Sequence, residues 1–138
     1  MSDELKAQAR EFINANPMGH VASVAGEQPY SRVMQTARID EDFTIYYAAF
    51  AWSSLIAQAH ANPRVCITYY YEGEDVRVFG HAKLLIDADL RKELWQDIWE
   101  KYWPRRAEDP DYVIVRVTPE RVEYRNFATG GTGYQRVI

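Results

Sequence analysis

Apolar and polar positions change period several times along the chain, and those changes mark its elements. Residues 3–15 repeat at helical spacing, with Leu5, Ala9, Phe12 and Ile13 on one face, Asp3 and Glu4 at the positive end, and Pro17 as the stop. MGHVASVA, 18–25, predicts a strand closed by the turn Gly26-Glu27-Gln28-Pro29. Tyr30 to Ile39 alternates, yet both faces are mixed: Arg32, Met34 and Thr36 on one, Val33, Gln35 and Ala37 on the other. A strand with two mixed faces borders a cavity or a partner as well as a core. After the acidic turn Asp40-Glu41-Asp42, residues 43–47 predict a third strand, and Ser53 to Ala61 a short helix ended by Asn62-Pro63.

Strands are expected at Val65–Tyr71 and Val76–Ile86, joined at Gly73, with a bulge or close approach at Gly80. The longest helical pattern runs from Ala88 to Tyr102 behind Asp87. It carries one stripe of Leu90, Leu94, Ile98 and Tyr102 and a second of Trp95, Trp99 and Trp103. The last strands are expected at Tyr112–Val117 and Arg121–Phe127, broken at Pro119, with residues 128–138 as a flexible tail. Many strands, short turns and few helices predict a mainly β protein: one closed antiparallel barrel with peripheral helices in a single domain over 1–138.

Composition narrows the function. Of 138 residues 47% are hydrophobic and 26% charged, which suits a folded chain. Ten Tyr and four Trp are unusual, and point to a ring-lined pocket or an extensive subunit contact. A net charge of −4 without a basic stripe argues against nucleic acid. No run is long and apolar enough to cross a bilayer, the charged start is unlike a signal peptide, and the expected location is the cytoplasm. The lone Cys66 excludes an intrachain disulfide. His20, His60 and His81 are too dispersed for a metal site, and none is expected.

The candidate chemistry sits between Tyr30 and Pro63. A positive side chain facing hydroxyls and free N–H groups at a helix start can hold a phosphate, and Arg32 with Ser53 and Ser54 forms such a set. Ordinary roles stand beside this: Arg32 as a surface or ion-paired residue, the serines as helix caps, the tryptophan stripe as packing or interface. Gly130-Gly131-Thr132-Gly133 lacks the strand-to-helix context of a phosphate loop.

The order of these pieces resembles the FMN-binding split β-barrel family of pyridoxamine-phosphate-oxidase-like proteins, in its general stress protein branch. The likeness rests on GHVASVAGEQPYSRVM, AQAHANPRVCITYY, VRVFGHAKLLID, LRKELWQDIWEKYWP and EDPDYVIVRVTPERVEY, from about Met18 to Tyr124. It implies a Greek-key antiparallel barrel of six to seven strands and a homodimer with FMN in a cleft between subunits. It also implies phosphate contacts from Arg32, Ser53 and Ser54, and further contacts from Val33, Met34, Gln35, Ala49 and Gln58. The chain departs from the family pattern in three places. Leu55 stands where relatives commonly carry a phosphate-binding Lys, Ala48-Ala49 replace a Thr or Ser, and Arg125 replaces a Trp; Arg105 or Arg106 is the candidate source of replacement charge.

The resemblance implies a flavin-dependent oxidoreductase acting on an unknown small molecule. The lost lysine keeps open a non-enzymatic binding or stress-response protein with weakened FMN affinity. Another flat cofactor, haem or deazaflavin, is a third possibility, although no positioned ligand supports haem. Vitamin-B6 oxidation is disfavoured by the absence of further basic residues for the substrate phosphate.

Overall fold

The computed structural model describes residues 2–129 and 133–138. Helix α1 (Ser2–Ala15) buries Ala9, Phe12 and Ile13 against the barrel and ends ahead of Pro17. Strands β1 (Met18–Ala25) and β2 (Gln28–Ile39) form a hairpin in which Ala25 pairs with Gln28, leaving Gly26 and Glu27 as a two-residue turn. Then follow β3 (Ile45–Phe50), α2 (Ser54–Ala61), β4 (Arg64–Tyr71) and β5 (Glu74–Leu85). The β4–β5 turn has Glu72 at φ 45° and Gly73 at φ 85°, the left-handed pair that a tight hairpin requires. Helix α3 (Ala88–Leu94) and a long β6 (Tyr112–Asn126) complete the main elements, and a two-residue β7 (Gln135–Arg136) adds to the edge of β6.

Around the sheet the order is β3-β2-β1-β4-β5-β6-β7, and β3 also pairs with β6. Six antiparallel strands therefore close into a barrel. β4 lies beside β1 rather than β3, the Greek-key connection. The interior is filled by inward positions of β1, β3, β4, β5 and β6, including Val21, Ile45, Tyr47, Ile67, Tyr69, Val78, Val117 and Val122, each at most 1% exposed, with Met34 and Ile39 of β2 packed against them half-buried. A second cluster of Leu94, Trp99, Trp103, Tyr112 and Ile114 packs separately.

Four expectations are corrected. The helix expected over 88–102 stops at Leu94: Trp95 (ψ 137°) and Gln96 (φ −123°, ψ 129°) are extended, and a 3₁₀ turn follows at Asp97–Lys101. A continuous helix would string the three indoles along one face. The break instead gathers them about Tyr112, with ring centroids 5.3, 6.0 and 5.2 Å from it for Trp95, Trp99 and Trp103. Of the expected first stripe, Ile98 and Tyr102 are left 66% and 52% exposed. Ring packing overrides helical propensity here.

Strand β6 runs through Pro119 without a break. Pro119 pairs with Gly80, where the β5–β6 register shifts, so the bulge absorbs the residue that lacks an N–H. The third strand starts at Ile45 because Phe43 takes φ 69° in a turn held by Phe43 N–H to Asp40 O (3.0 Å) and Thr44 N–H to Asp42 Oδ1 (2.9 Å). That backbone donor holds the Asp42 carboxyl below its usual range. The expected tail differs too. Residues 130–132 of the glycine run lie outside the described residues, but Gln135 and Arg136 pair with Tyr124 and Glu123, and Val137 is 5% exposed.

Candidate functional site

The barrel is open along one seam. β2 pairs with β3 only between Thr36–Ile39 and Ile45–Tyr47; the ladder carries a register shift between Thr36 and Arg38 and ends at the Thr36–Tyr47 pair. Beyond it, Arg32 to Gln35 keep their β1 partners alone, and Ala48 to Phe50 keep their β6 partners alone. The gap is a cleft of about 450 Å³. Its walls are β2 at Arg32–Gln35 and β3 at Ala48–Phe50, with the start of α2 at one end and Trp99, Tyr102 and Trp103 at the other. Because the strand edge itself faces the opening, side chains from both faces of β2 reach it. That is the physical meaning of its mixed alternation.

The cleft brings together seven of the eight expected site residues: Arg32, Val33, Met34, Gln35, Ala49, Ser53 and Ser54. Gln58, expected as a direct contact, sits behind them. Its Oε1 accepts from Arg32 Nη2 at 3.0 Å and from Ser23 Oγ at 2.5 Å, and Arg32 Nη1 donates to Ser23 Oγ at 2.9 Å. Ser23, 2% exposed, was missed; the signal was a serine at an inward strand position two residues after buried Val21.

Arg32 is the only charged side chain among the described residues that line the cleft. It takes part in none of the ion pairs of the described residues, and its two acceptors are neutral. A half-buried guanidinium held only by neutral oxygens keeps a full charge for an incoming anion. Beside it, Ser53 occupies the N-cap of α2 at φ −66°, ψ 151° yet makes no side-chain cap bond, and its buried Oγ has no partner. The ordinary capping role is therefore not taken up. A buried hydroxyl without a partner costs about 1–3 kcal/mol, which a ligand oxygen would relieve.

Leu55 is 1% exposed and forms part of the apolar wall, so among the described residues that line the cleft no cation stands beside Arg32. Arg106 bonds Asp97 and Glu100, each at 2.6 Å, and its charge is already compensated. The rings opposite are tightly grouped: Phe50 lies 4.7 Å from Trp103 and 4.8 Å from Trp52 by centroid. Inside the barrel, burial pushes the Tyr47 phenol far up while the Arg32 charge works the other way, and its hydroxyl has no partner. Among the described residues no three His, Cys, Asp or Glu side chains gather to hold a metal.

A six-stranded Greek-key antiparallel barrel parted at one seam is a split barrel. The family profile of pyridoxamine 5'-phosphate oxidase matches residues 5–126, and the chain belongs to that family. Among solved structures it is similar to general stress protein 26 from Bacillus anthracis, at 24% identity and a TM-score of 0.81, over 96% of this chain and 98% of that one. It is also similar to a protein from Clostridium acetobutylicum related to general stress protein 26 of B. subtilis, of the pyridoxinephosphate oxidase family (18% identity, TM-score 0.81, 90% and 89% covered). A third similar structure is an FAD-binding protein from Mesorhizobium loti (23% identity, TM-score 0.67, 84% and 90% covered). No curated protein matches.

Proposed function

We propose that this protein binds a flavin in the seam and works as a flavin-dependent oxidoreductase on a small molecule, FMN being the flavin the family resemblance implies. The observation that carries the reading is the Arg32 guanidinium, free of any ion pair, beside the partnerless Ser53 Oγ at a helix start. The residues fit such a group. Arg32 and Ser53 would hold its phosphate, with Ser54 at the rim. The exposed edge of β2 at Val33, Met34 and Gln35, with Ala49 opposite, would take the flat ring. The volume falls within the roughly 300–1,000 Å³ of small-molecule sites. When bound, the flavin supplies the hydride chemistry; the chain's part is to orient it and exclude water, and no side chain is assigned as acid or base.

A homodimer belongs to the same proposal. Met18, Val33 and Trp52, at 52%, 50% and 70% exposure, leave large apolar side chains bare at or beside the cleft rim, where a second copy would cover them. A cytoplasmic location is part of it as well, consistent with a single free thiol and no disulfide; among the described residues no helix is long and apolar enough to cross a membrane.

Titrating the purified protein with FMN tests the reading. Quenching of flavin fluorescence and a shifted visible band are expected; a chain that leaves both unchanged at micromolar concentrations does not bind flavin. One observation favours a second reading, a binding protein without turnover: Leu55 and Ala49 supply no polar atom where an anion would gain one. A flavin complex whose ring is not reduced by nicotinamide donors would support it.

A further inference from the structure

We infer that the protein carries a second ligand site, a groove between α2 and the end of β5 that takes a single-chain carboxylate, with the acyl tail in the groove and the anionic head at Lys83. The groove has a volume of about 740 Å³, and among the described residues it shares only Ser53 with the cleft of the seam. The inference goes beyond the flavin reading and does not rest on it. The walls are apolar: Ile56, Ala57 and Ala59 come from α2, Ala82 and Leu84 from β5, and Val115 from β6. Leu84 is 40% exposed, so apolar surface is left bare on the groove's margin. The volume is that of a small-molecule site.

Charge decides the occupant. Lys83 lines the groove and pairs in register with Arg116 on β6, so two cations stand directly opposite each other on neighbouring strands. Neither takes part in any ion pair of the described residues. Like charges in that position destabilise a strand pair. On its other side Arg116 meets the register partner Tyr46, a phenol, and its buried Nε has no partner. No carboxylate side chain lines the groove among the described residues. His60, in the last turn of α2, adds an imidazole N–H, a donor in either protonation state. An apolar trough with uncompensated cations at its edge complements a molecule that is apolar along its length and negative at one end. A carboxylate head can accept from an ammonium and a guanidinium together. Each methylene of the tail taken out of water multiplies affinity about fourfold.

The test is calorimetric titration of the intact protein at neutral pH with octanoate, decanoate, decan-1-ol and decyltrimethylammonium, each below its micelle-forming concentration. Decanoate is expected to bind at one site per chain, about tenfold more tightly than octanoate. Partly exposed ion pairs add up to about fivefold each, so decanoate should exceed decanol by about fivefold and the ammonium probe by more. Two substitutions at exposed positions locate the site. Ala57→Trp fills the trough without touching the lining of the seam, and should remove the binding of decanoate and decanol alike. Lys83→Glu reverses the charge at the head and gives Arg116 a cross-strand ion-pair partner. It should weaken decanoate about tenfold, spare decanol and raise the melting temperature. A lysine with a merely structural role would not give those opposed effects. Equal affinity for decanoate and the ammonium probe overturns the inference, and so does a failure of decanoate to bind at about millimolar concentration. Full decanoate binding by Ala57→Trp, or an unchanged decanoate affinity in Lys83→Glu, overturns it as well. Should either variant fail to fold, the order of the four probes on the unaltered protein decides. None of these results bears on flavin in the seam, which the FMN titration decides separately.

Discussion

Arg32 Nη2 donates to Gln58 Oε1 at 3.0 Å, so the cation of the cleft is moored to a helix that follows the opposite edge of the seam. The mooring is neutral at every point: Gln58 also accepts from Ser23, and Ser23 accepts from Arg32. A carboxylate in place of either would quench the charge that the cleft presents. The arrangement orients the guanidinium without spending its charge.

Gln58→Leu should accordingly weaken a phosphorylated flavin and spare riboflavin. A hydrogen bond to a charged group contributes about 1.5–3 kcal/mol, and water restores part of it at a half-buried site. FMN affinity is expected to fall about three- to tenfold while the riboflavin affinity holds, and the melting temperature should drop because the buried Ser23 hydroxyl loses its acceptor. Equal losses for both ligands would mean that Gln58 supports the ring or the fold instead of the anion end.

Gly80 provides a test of the bulge that carries β6 past Pro119. A Cβ at Gly80 would stand 2.2 Å from the Thr118 carbonyl oxygen and 3.0 Å from its carbon. Those are backbone atoms, so no rotamer change clears the contact. Gly80→Ala should destabilise the barrel by about 2–4 kcal/mol, toward the upper end of overpacking effects. Urea unfolding would read this as a lower midpoint at constant slope. A loss below about 0.5 kcal/mol would show that the strand pair shifts at little cost.

The strands were legible because period-two alternation and hairpin turns are local. Val65–Tyr71 and the Gly80 bulge could be read from the residues, and so could Arg32, Ser53 and Ser54, which flank one continuous strand–helix passage, whereas Val33, Met34, Gln35 and Ala49 came only with the family resemblance. What escaped depended on distant partners. The indoles could not announce that they would break their helix to surround Tyr112, because Tyr112 lies 17, 13 and 9 positions away along the chain. Ser23 looked like one more small strand residue until Arg32 and Gln58 converged on it. Tyr134 gave no sign in a glycine-rich tail that it would meet Asp75.

That last contact fixes the chain end. Asp75, 2% exposed, accepts from Arg125 Nε at 2.9 Å and from the Tyr134 hydroxyl at 2.5 Å, while the Tyr134 ring lies under Arg77 and Arg125 at 3.7 and 4.2 Å. Tyr134→Phe keeps the stacking and removes one bond to a buried carboxylate, for an expected loss of about 1–2 kcal/mol. Tyr134→Ala should add about 1 kcal/mol for the lost cation–π contacts and make the last residues sensitive to carboxypeptidase. Unchanged stability in the phenylalanine variant would mean the hydroxyl contributes nothing to docking.

Alkali should unfold the barrel in a defined window. Burial pushes the Tyr112 phenol up to about 12 against the Arg91 charge, and burial raises Tyr47 and Tyr69 as well. Unfolded tyrosine titrates near 10. Between these limits the unfolded chain gives up protons that the folded chain retains, so stability is full below pH about 10 and falls as pH rises toward the folded values. The absorbance of phenolate should then rise for these tyrosines together with unfolding. Tyr47→Phe separates the contributions, because the Tyr47 hydroxyl has no partner to lose, whereas that of Tyr69 meets Thr36 Oγ1 at 2.6 Å. The Tyr47 variant should match or exceed the parent at neutral pH and unfold at higher pH. Tyr69→Phe should lose about 1 kcal/mol at neutral pH. Loss of stability at neutral pH in the Tyr47 variant would show that its hydroxyl is bonded after all, and would end the claim that it is buried without a partner.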